Sequence, residues 1–233
     1  MALFTDRADA GRRLAEKLRA YANRSDVIVF GIPRGGLVVA FEVAVALGAP
    51  LDVFAARKLG VPGQEELAFG AVASGGVRVL DREVIDAIEI STHEIDQITQ
   101  RERAELERRE LAYRRSRPPL GVAGKTVILI DDGIATGAST RAAIDALRQL
   151  NPARIVVAVP VAPLSTCRKL SAAVDDLVCV YMPEHFHAIG QFYDDFSQVA
   201  DKEVSTLIER SAQLKVNPAL KENAPNGGNG VTE

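Results

Sequence analysis

Short apolar runs alternate along the chain with longer stretches of helical period. Val27-Ile28-Val29-Phe30, Leu51 to Ala55, Val127-Ile128-Leu129-Ile130, Arg154 to Pro160 and Leu177 to Tyr181 have the character of strands buried on both faces. Between them, residues 6 to 22 set Leu14, Leu18 and Tyr21 on one helical face, with Asp6 and Asp9 in the first turn. Residues 37–47, 140–150, 165–173 and 201–214 read as further helices. Strand-then-helix alternation predicts an α/β fold: a mainly parallel, doubly wound sheet flanked by helices.

Three stretches stand outside this rhythm. Residues 69–73 and 77–80 pair as a hairpin across Ser74-Gly75-Gly76. Ser91-Thr92-His93-Glu94 is a capping box that opens a long charged helix reaching about Arg115. Its apolar positions, Ile95, Ile98, Leu106 and Leu111, leave a narrow stripe to bury, and Arg114, Arg115 and Arg117 precede the Pro118-Pro119 stop. This arm, residues 91–117, is expected to lie solvated over a site entrance; a homodimer contact or a moving lid is its sharper use. From Asn217 on, Asn, Gly and Pro predict a disordered tail, which leaves residues 1–216 as one domain.

Composition narrows the class. A chain of 233 residues can bury roughly 70% of its unfolded surface without staples. Its 47% hydrophobic and 25% charged residues suit a soluble globular protein. A net charge of −3 and a pI near 5.7 argue against bulk electrostatic binding to nucleic acid. Cys167 and Cys179 fall in a helix and a strand and read as small buried residues. With no signal-like opening and no apolar run of about 20 residues, no membrane partner is expected and the location is expected to be cytoplasmic.

Candidate chemistry concentrates at residues 127–140, Val-Ile-Leu-Ile-Asp-Asp-Gly-Ile-Ala-Thr-Gly-Ala-Ser-Thr. Small residues after a buried strand let backbone N–H groups approach an anion, Thr and Ser add hydroxyl donors, and a helix start adds partial positive charge. Asp131 and Asp132 are acceptors suited to sugar hydroxyls or a hydrated Mg²⁺. Strand alternation points neighbours to opposite faces, so the two are not expected to share one buried pocket. Acceptors for a sugar beside donors for a phosphate fit a ribose 5-phosphate.

Two more segments carry anion-binding character. Gly31-Ile32-Pro33-Arg34-Gly35-Gly36 repeats the strand, glycine loop and helix start, with a guanidinium among the glycines. Arg57-Lys58-Leu59-Gly60-Val61-Pro62-Gly63 reads as a positively charged, mobile loop. Residues 182–196 are irregular and hold Phe186, Phe192, Tyr193 and Phe196 of the chain's eight Phe and four Tyr. His185 and His187 lack further ligands at metal-site spacing.

Residues 127–139 match the 13-residue signature of type I phosphoribosyltransferases: four apolar residues, two acids, three variable positions, Thr-Gly, one more, then Ser or Thr. The chain therefore resembles that family, which binds phosphoribosyl pyrophosphate (PRPP), most clearly over residues 25–60 and 124–196. The Arg34-Gly35-Gly36 loop is similar to the pyrophosphate loop of its xanthine-guanine members. The resemblance implies Mg²⁺-dependent transfer of phosphoribosyl to a nitrogenous small-molecule acceptor, with release of pyrophosphate. It implies that Asp131 and Asp132 hold the ribose hydroxyls, directly or through Mg²⁺, and that Ala135, Thr136, Gly137, Ala138, Ser139 and Thr140 hold the 5-phosphate. Arg34, Gly35, Gly36, Arg57 and Lys58 would serve the pyrophosphate. A C-terminal hood, about residues 182–198, would stack the base on Phe186, Phe192 or Tyr193.

Two departures leave the base unnamed. Ala135 stands where 6-oxopurine enzymes carry an Asp, and the hood lacks the Lys that reads a 6-oxo group. A PRPP sensor that binds without transfer is the main alternative. A phosphoacceptor receiver domain fits poorly, because Asp175 and Asp176 precede their strand instead of ending it.

Overall fold

The computed structural model describes residues 2–115 and 117–216. Helix α1 (Arg7–Lys17) is capped by Asp6, whose carboxylate accepts from the Asp9 N–H at 2.7 Å. The expected helix to residue 22 breaks after Lys17, and a 3-10 turn at Arg19–Tyr21 still carries the Tyr21 ring into the core. There follow β1 (Val27–Gly31), α2 (Gly35–Leu47), β2 (Leu51–Val53), β3 (Ala56–Val61), β4 (Gln64–Ala73), β5 (Val77–Leu80), α3 (Arg82–Ile88) and α4 (Thr92–Arg114). The second half adds β6 (Thr126–Ile130), α5 (Ala138–Gln149), β7 (Arg154–Val161), α6 (Leu164–Ser171), β8 (Asp176–Tyr181) and α7 (Asp201–Val216).

The main sheet is parallel, in the order β2-β1-β6-β7-β8, with Val29 opposite Ile128 and Ile128 opposite Val156. Both faces are covered, which is why its strands are continuous apolar runs. Val27, Val29, Ile128 and Ile130 pack towards α1, α2 and α7, whereas Ile28, Phe30, Val127 and Leu129 pack towards α5 and α6. The doubly wound sheet flanked by helices is the fold that the alternation predicts.

A second sheet, β3-β4-β5, is antiparallel and shares an apolar cluster with Ile95, Ile98 and Leu106 of α4. The β4–β5 hairpin matches the expectation; β3 does not. Arg57 and Lys58 belong to a strand, not a mobile loop. Leu59 and Val61 alternate with polar or small neighbours and are buried against the arm, which holds the segment extended. Helix α3, capped by Asp81, has no counterpart in the sequence reading because two turns are too short for a periodic signal.

The capping box at Ser91 forms as expected. Arg114 at the far end of α4 is buried beside Asp52, whose Oδ1 accepts from its Nε at 2.9 Å. Cys167 is buried on α6 and Cys179 half-buried on β8, where burial pushes its thiol up to about 12. Among the described residues no helix is long and apolar enough to cross a membrane. The tail expected from Asn217 lies outside the described residues.

Candidate active site

From β1 the chain crosses to β2 on one side of the sheet; from β6 it crosses to β7 on the other. Adjacent strands whose connections diverge open a crevice at their carboxyl ends, where open α/β sheets take ligands. The loops after β1 and β6 meet there, and the Ile32 N–H donates to the Ile130 carbonyl at 2.8 Å. A methyl carbon on Gly36 would lie 2.9 Å from both the Asp131 Cα and the Ile130 oxygen. Two successive glycines therefore permit the first loop to rest directly on the acidic pair.

Asp131 and Asp132 lie just past the last strand residue, so the alternation rule no longer separates them. The Asp132 N–H donates to Asp131 Oδ1 at 2.9 Å. Burial, with the Asp132 charge second, pushes the Asp131 carboxyl well above the usual range, and Arg7 opposes this. The two acids therefore lie side by side at the crevice, joined by the Asp132 N–H to Asp131 Oδ1. Arg7 had no place in the sequence reading, yet its Nε donates to Asp132 Oδ2 at 2.7 Å.

The loop at 133–137 is pinned on both sides. The Ile134 N–H donates to Val161, the Thr166 hydroxyl donates to the Ala135 carbonyl at 2.8 Å, and Gly133 packs against Ile189. Gly137, at φ 84°, turns the chain into α5. Ala135, Thr136, Ala138 and Ser139 stay exposed at this helix start. Thr140 does not: its side chain is buried beneath the first turn.

The expected cations are distributed over the surrounding elements. Arg34 is half-exposed, with Nη1 3.8 Å from Asp201 Oδ1 at the start of α7. Arg57 turns towards α4, and its Nη2 is 2.5 Å from Glu102 Oε2. A cleft of about 930 Å³ joins Arg57, Lys58, Arg101 and Glu102 to Ala138 and Ser139 of α5. Arg57 and Lys58 thereby adjoin the phosphate-type loop.

The aromatic segment behaves differently from expectation. Phe192 and Tyr193 are 8% and 5% exposed and share a cluster with Phe4. Phe4 and Phe196 cover Tyr193 at ring distances of 5.3 and 5.0 Å, and its hydroxyl donates to the Asp132 carbonyl at 2.5 Å. Neither ring offers a free stacking face, because Phe4 and Phe196 flank Tyr193 while Tyr181 and Phe186 flank Phe192 at ring distances of 5.9 and 5.7 Å. Phe186 retains partial exposure. His185 and His187 are exposed, and among the described residues no three His, Cys, Asp or Glu side chains gather as a metal cluster.

The sequence model of the phosphoribosyl transferase domain matches residues 4–197. The chain belongs to this family. It is 43% identical over 211 residues to the provisionally named phosphoribosyl transferases MT0597 and Rv0571c of Mycobacterium tuberculosis (strains CDC 1551 / Oshkosh and ATCC 25618 / H37Rv). Those alignments cover 91% of this chain and 47% of each relative, so the chain spans about half the length of these curated relatives. Among solved structures it is similar to TT1426 from Thermus thermophilus, with a TM-score of 0.80 and 42% identity over 89% of this chain and 98% of that one.

The family implies Mg²⁺, and the crevice offers two carboxylates for it. Mg²⁺ keeps several waters and takes one or two carboxylates besides substrate phosphates. Asp131 and Asp132 at the crevice fit that sparse demand, although Asp132 already holds Arg7.

Proposed function

We propose that this phosphoribosyl transferase domain transfers the phosphoribosyl group of PRPP to a nitrogenous acceptor, with Mg²⁺, releasing pyrophosphate. The observation that carries the proposal is the interlocking of the Arg34-Gly35-Gly36 loop with the Asp131-Asp132 pair at the point where the strand connections diverge. In this reading, backbone N–H groups of residues 135–139 and the Thr136 and Ser139 hydroxyls cradle the 5-phosphate. The buried Thr140 supports that turn from behind. The acidic pair lies where the ribose sits and fixes the sugar at the crevice. Arg34, the Gly35-Gly36 backbone, Arg57 and Lys58 take the pyrophosphate as charge builds on it.

As the bond from the ribosyl carbon to pyrophosphate breaks, the acceptor nitrogen takes its place at that carbon. The protein supplies position and charge compensation and no covalent nucleophile. Bound at the acidic pair together with the substrate, Mg²⁺ would offset the charge of the leaving group. For the acceptor, Phe186 is the one of the three expected rings that keeps partial exposure.

A pyrophosphate-release assay tests the proposal, using PRPP, Mg²⁺ and a panel of purines, pyrimidines and small amines. Acceptor-dependent release that disappears in Asp131→Ala is expected. The covered rings of Phe192 and Tyr193 favour a second reading, a PRPP sensor with no base platform. Tight PRPP binding without release across the panel would select it.

A further inference from the structure

Arg7 stands at the first position of α1, yet its side chain belongs to the site. The guanidinium and the Asp132 carboxylate are 11% and 13% exposed. Nε donates to Asp132 Oδ2 at 2.7 Å, Nη1 donates to the Ser197 carbonyl at 2.8 Å, and the guanidinium carbon lies 3.9 Å from the centre of the Phe196 ring. These contacts hold the cation from three directions. The Tyr193 hydroxyl, from the same C-terminal segment, fixes the Asp132 carbonyl.

The two ends of the domain form one unit around this acid. The Phe4 N–H donates to Phe192, and the Asp194 and Asp195 N–H groups donate to Phe4 and Thr5, each at 2.9 Å. On the opposite side a Gly35 methyl would stand 2.7 Å from Arg7 Nε, so the ion pair seats directly on the first loop. Asp131 differs. Its Oδ1 accepts the Asp132 N–H, and it lies against Gly36.

We propose that Arg7 is a positioning residue that divides the acidic pair. Asp132 is the fixed partner of Arg7, and Asp131 is the carboxylate that meets the ribose hydroxyls and the hydrated metal. The inference rests on the PRPP reading above. A carboxylate whose charge is compensated by a forked cation is a poor ligand for a second cation. The same contact sets its position before substrate arrives, which saves ordering on binding.

The test is a calorimetric double-mutant cycle on PRPP binding, with Arg7→Gln, Asp132→Asn and both together, and with Asp131→Asn alongside. Each of the first two should weaken binding about tenfold, and the pair no more than the larger single loss, because all three break one contact. Asp131→Asn should also flatten the dependence of PRPP affinity on Mg²⁺, whereas Asp132→Asn should keep it. That dependence separates positioning from a purely structural role, and Arg7→Lys, which keeps the charge, serves where Arg7→Gln fails to fold. Additive losses, an Arg7→Gln affinity within about twofold of wild type, or a Mg²⁺ dependence lost with Asp132 and kept without Asp131 would overturn the proposal. Wild-type protein with no PRPP affinity would instead remove the underlying reading, and the proposal with it.

Discussion

A methyl carbon added to Gly35 would stand 1.9 Å from Oδ2 of Asp132. The loops after β1 and β6 are therefore shaped to each other, and the absence of a side chain at Gly35 decides whether they can close. Gly35→Ala must displace either the loop or the carboxylate that Arg7 holds. Overpacking of this kind costs about 1–3 kcal/mol, which for a domain of this size lowers the melting temperature by roughly 2–12 °C. PRPP affinity should fall at least tenfold, because the loop and the acids it touches move together. Gly121→Ala is the control: nothing lies within 4 Å of its added carbon, and it should leave both measurements unchanged.

Glu102 occupies the cation that the PRPP reading assigns to pyrophosphate. The pair is partly buried, at 28% and 12% side-chain exposure, so its strength is about 1 kcal/mol. Glu102→Gln removes the competition and should strengthen pyrophosphate binding up to about fivefold at low salt. Ribose 5-phosphate binding should stay unchanged. Titration of both ligands against wild type and variant checks this, and equal affinities for pyrophosphate would place Arg57 outside the ligand site.

Much of the fold was legible because strands covered on both faces cannot hide their composition. The 127–130 and 27–30 runs are uniformly apolar for that reason, and the loops after them carry their small residues in sequence order. Segments whose partners are distant were not legible. Leu59 and Val61 are the buried residues of β3, and the cations and glycines around them read as a loop. Arg7 is a common surface-type residue in a helical first turn, and its partner lies 125 positions away. Aromatic richness marked residues 182–196, but the same rings suit a stacking platform or a core. Packing decided the outcome: Phe4, from the other end of the domain, and Phe196 cover Tyr193, and Tyr181 and Phe186 flank Phe192.

The arm is linked electrically to the first loop. The Tyr113 hydroxyl on α4 donates to Asp201 Oδ1 at 3.0 Å, the same oxygen that Arg34 approaches. Burial, and then the hydrogen bond to Asp201, push the Tyr113 hydroxyl up to about 12, from about 10 in an unfolded chain. A raised value means that its contribution to stability is complete below pH 10 and is lost as pH climbs towards 12. Tyr113→Phe should therefore remove one late step from the tyrosinate absorbance titration and reduce the loss of stability between pH 10 and 12. A titration curve unchanged by the substitution would show that Tyr113 does not ionise there.

The base of the arm should be the costliest place to disturb. Asp52 and Arg114 are 2% and 7% exposed, and their contact spans the end of β2 and the last turn of α4. Arg114 also donates from Nη2 to the Val53 carbonyl at 2.9 Å and lies 3.3 Å from Glu110, while Asp52 accepts the N–H groups of Val53 and Leu120. Every partner in this network is held by another, so removing one charge strands the opposite charge away from water. Arg114→Ala is expected to cost about 3–5 kcal/mol, read as an earlier midpoint in urea with an unchanged slope. Arg114→Lys keeps the charge but not the fork that reaches both Asp52 and Val53, and should fall between alanine and wild type. If the alanine midpoint matched that of wild type, water would have to reach the Asp52 carboxylate, and the arm would not be anchored there.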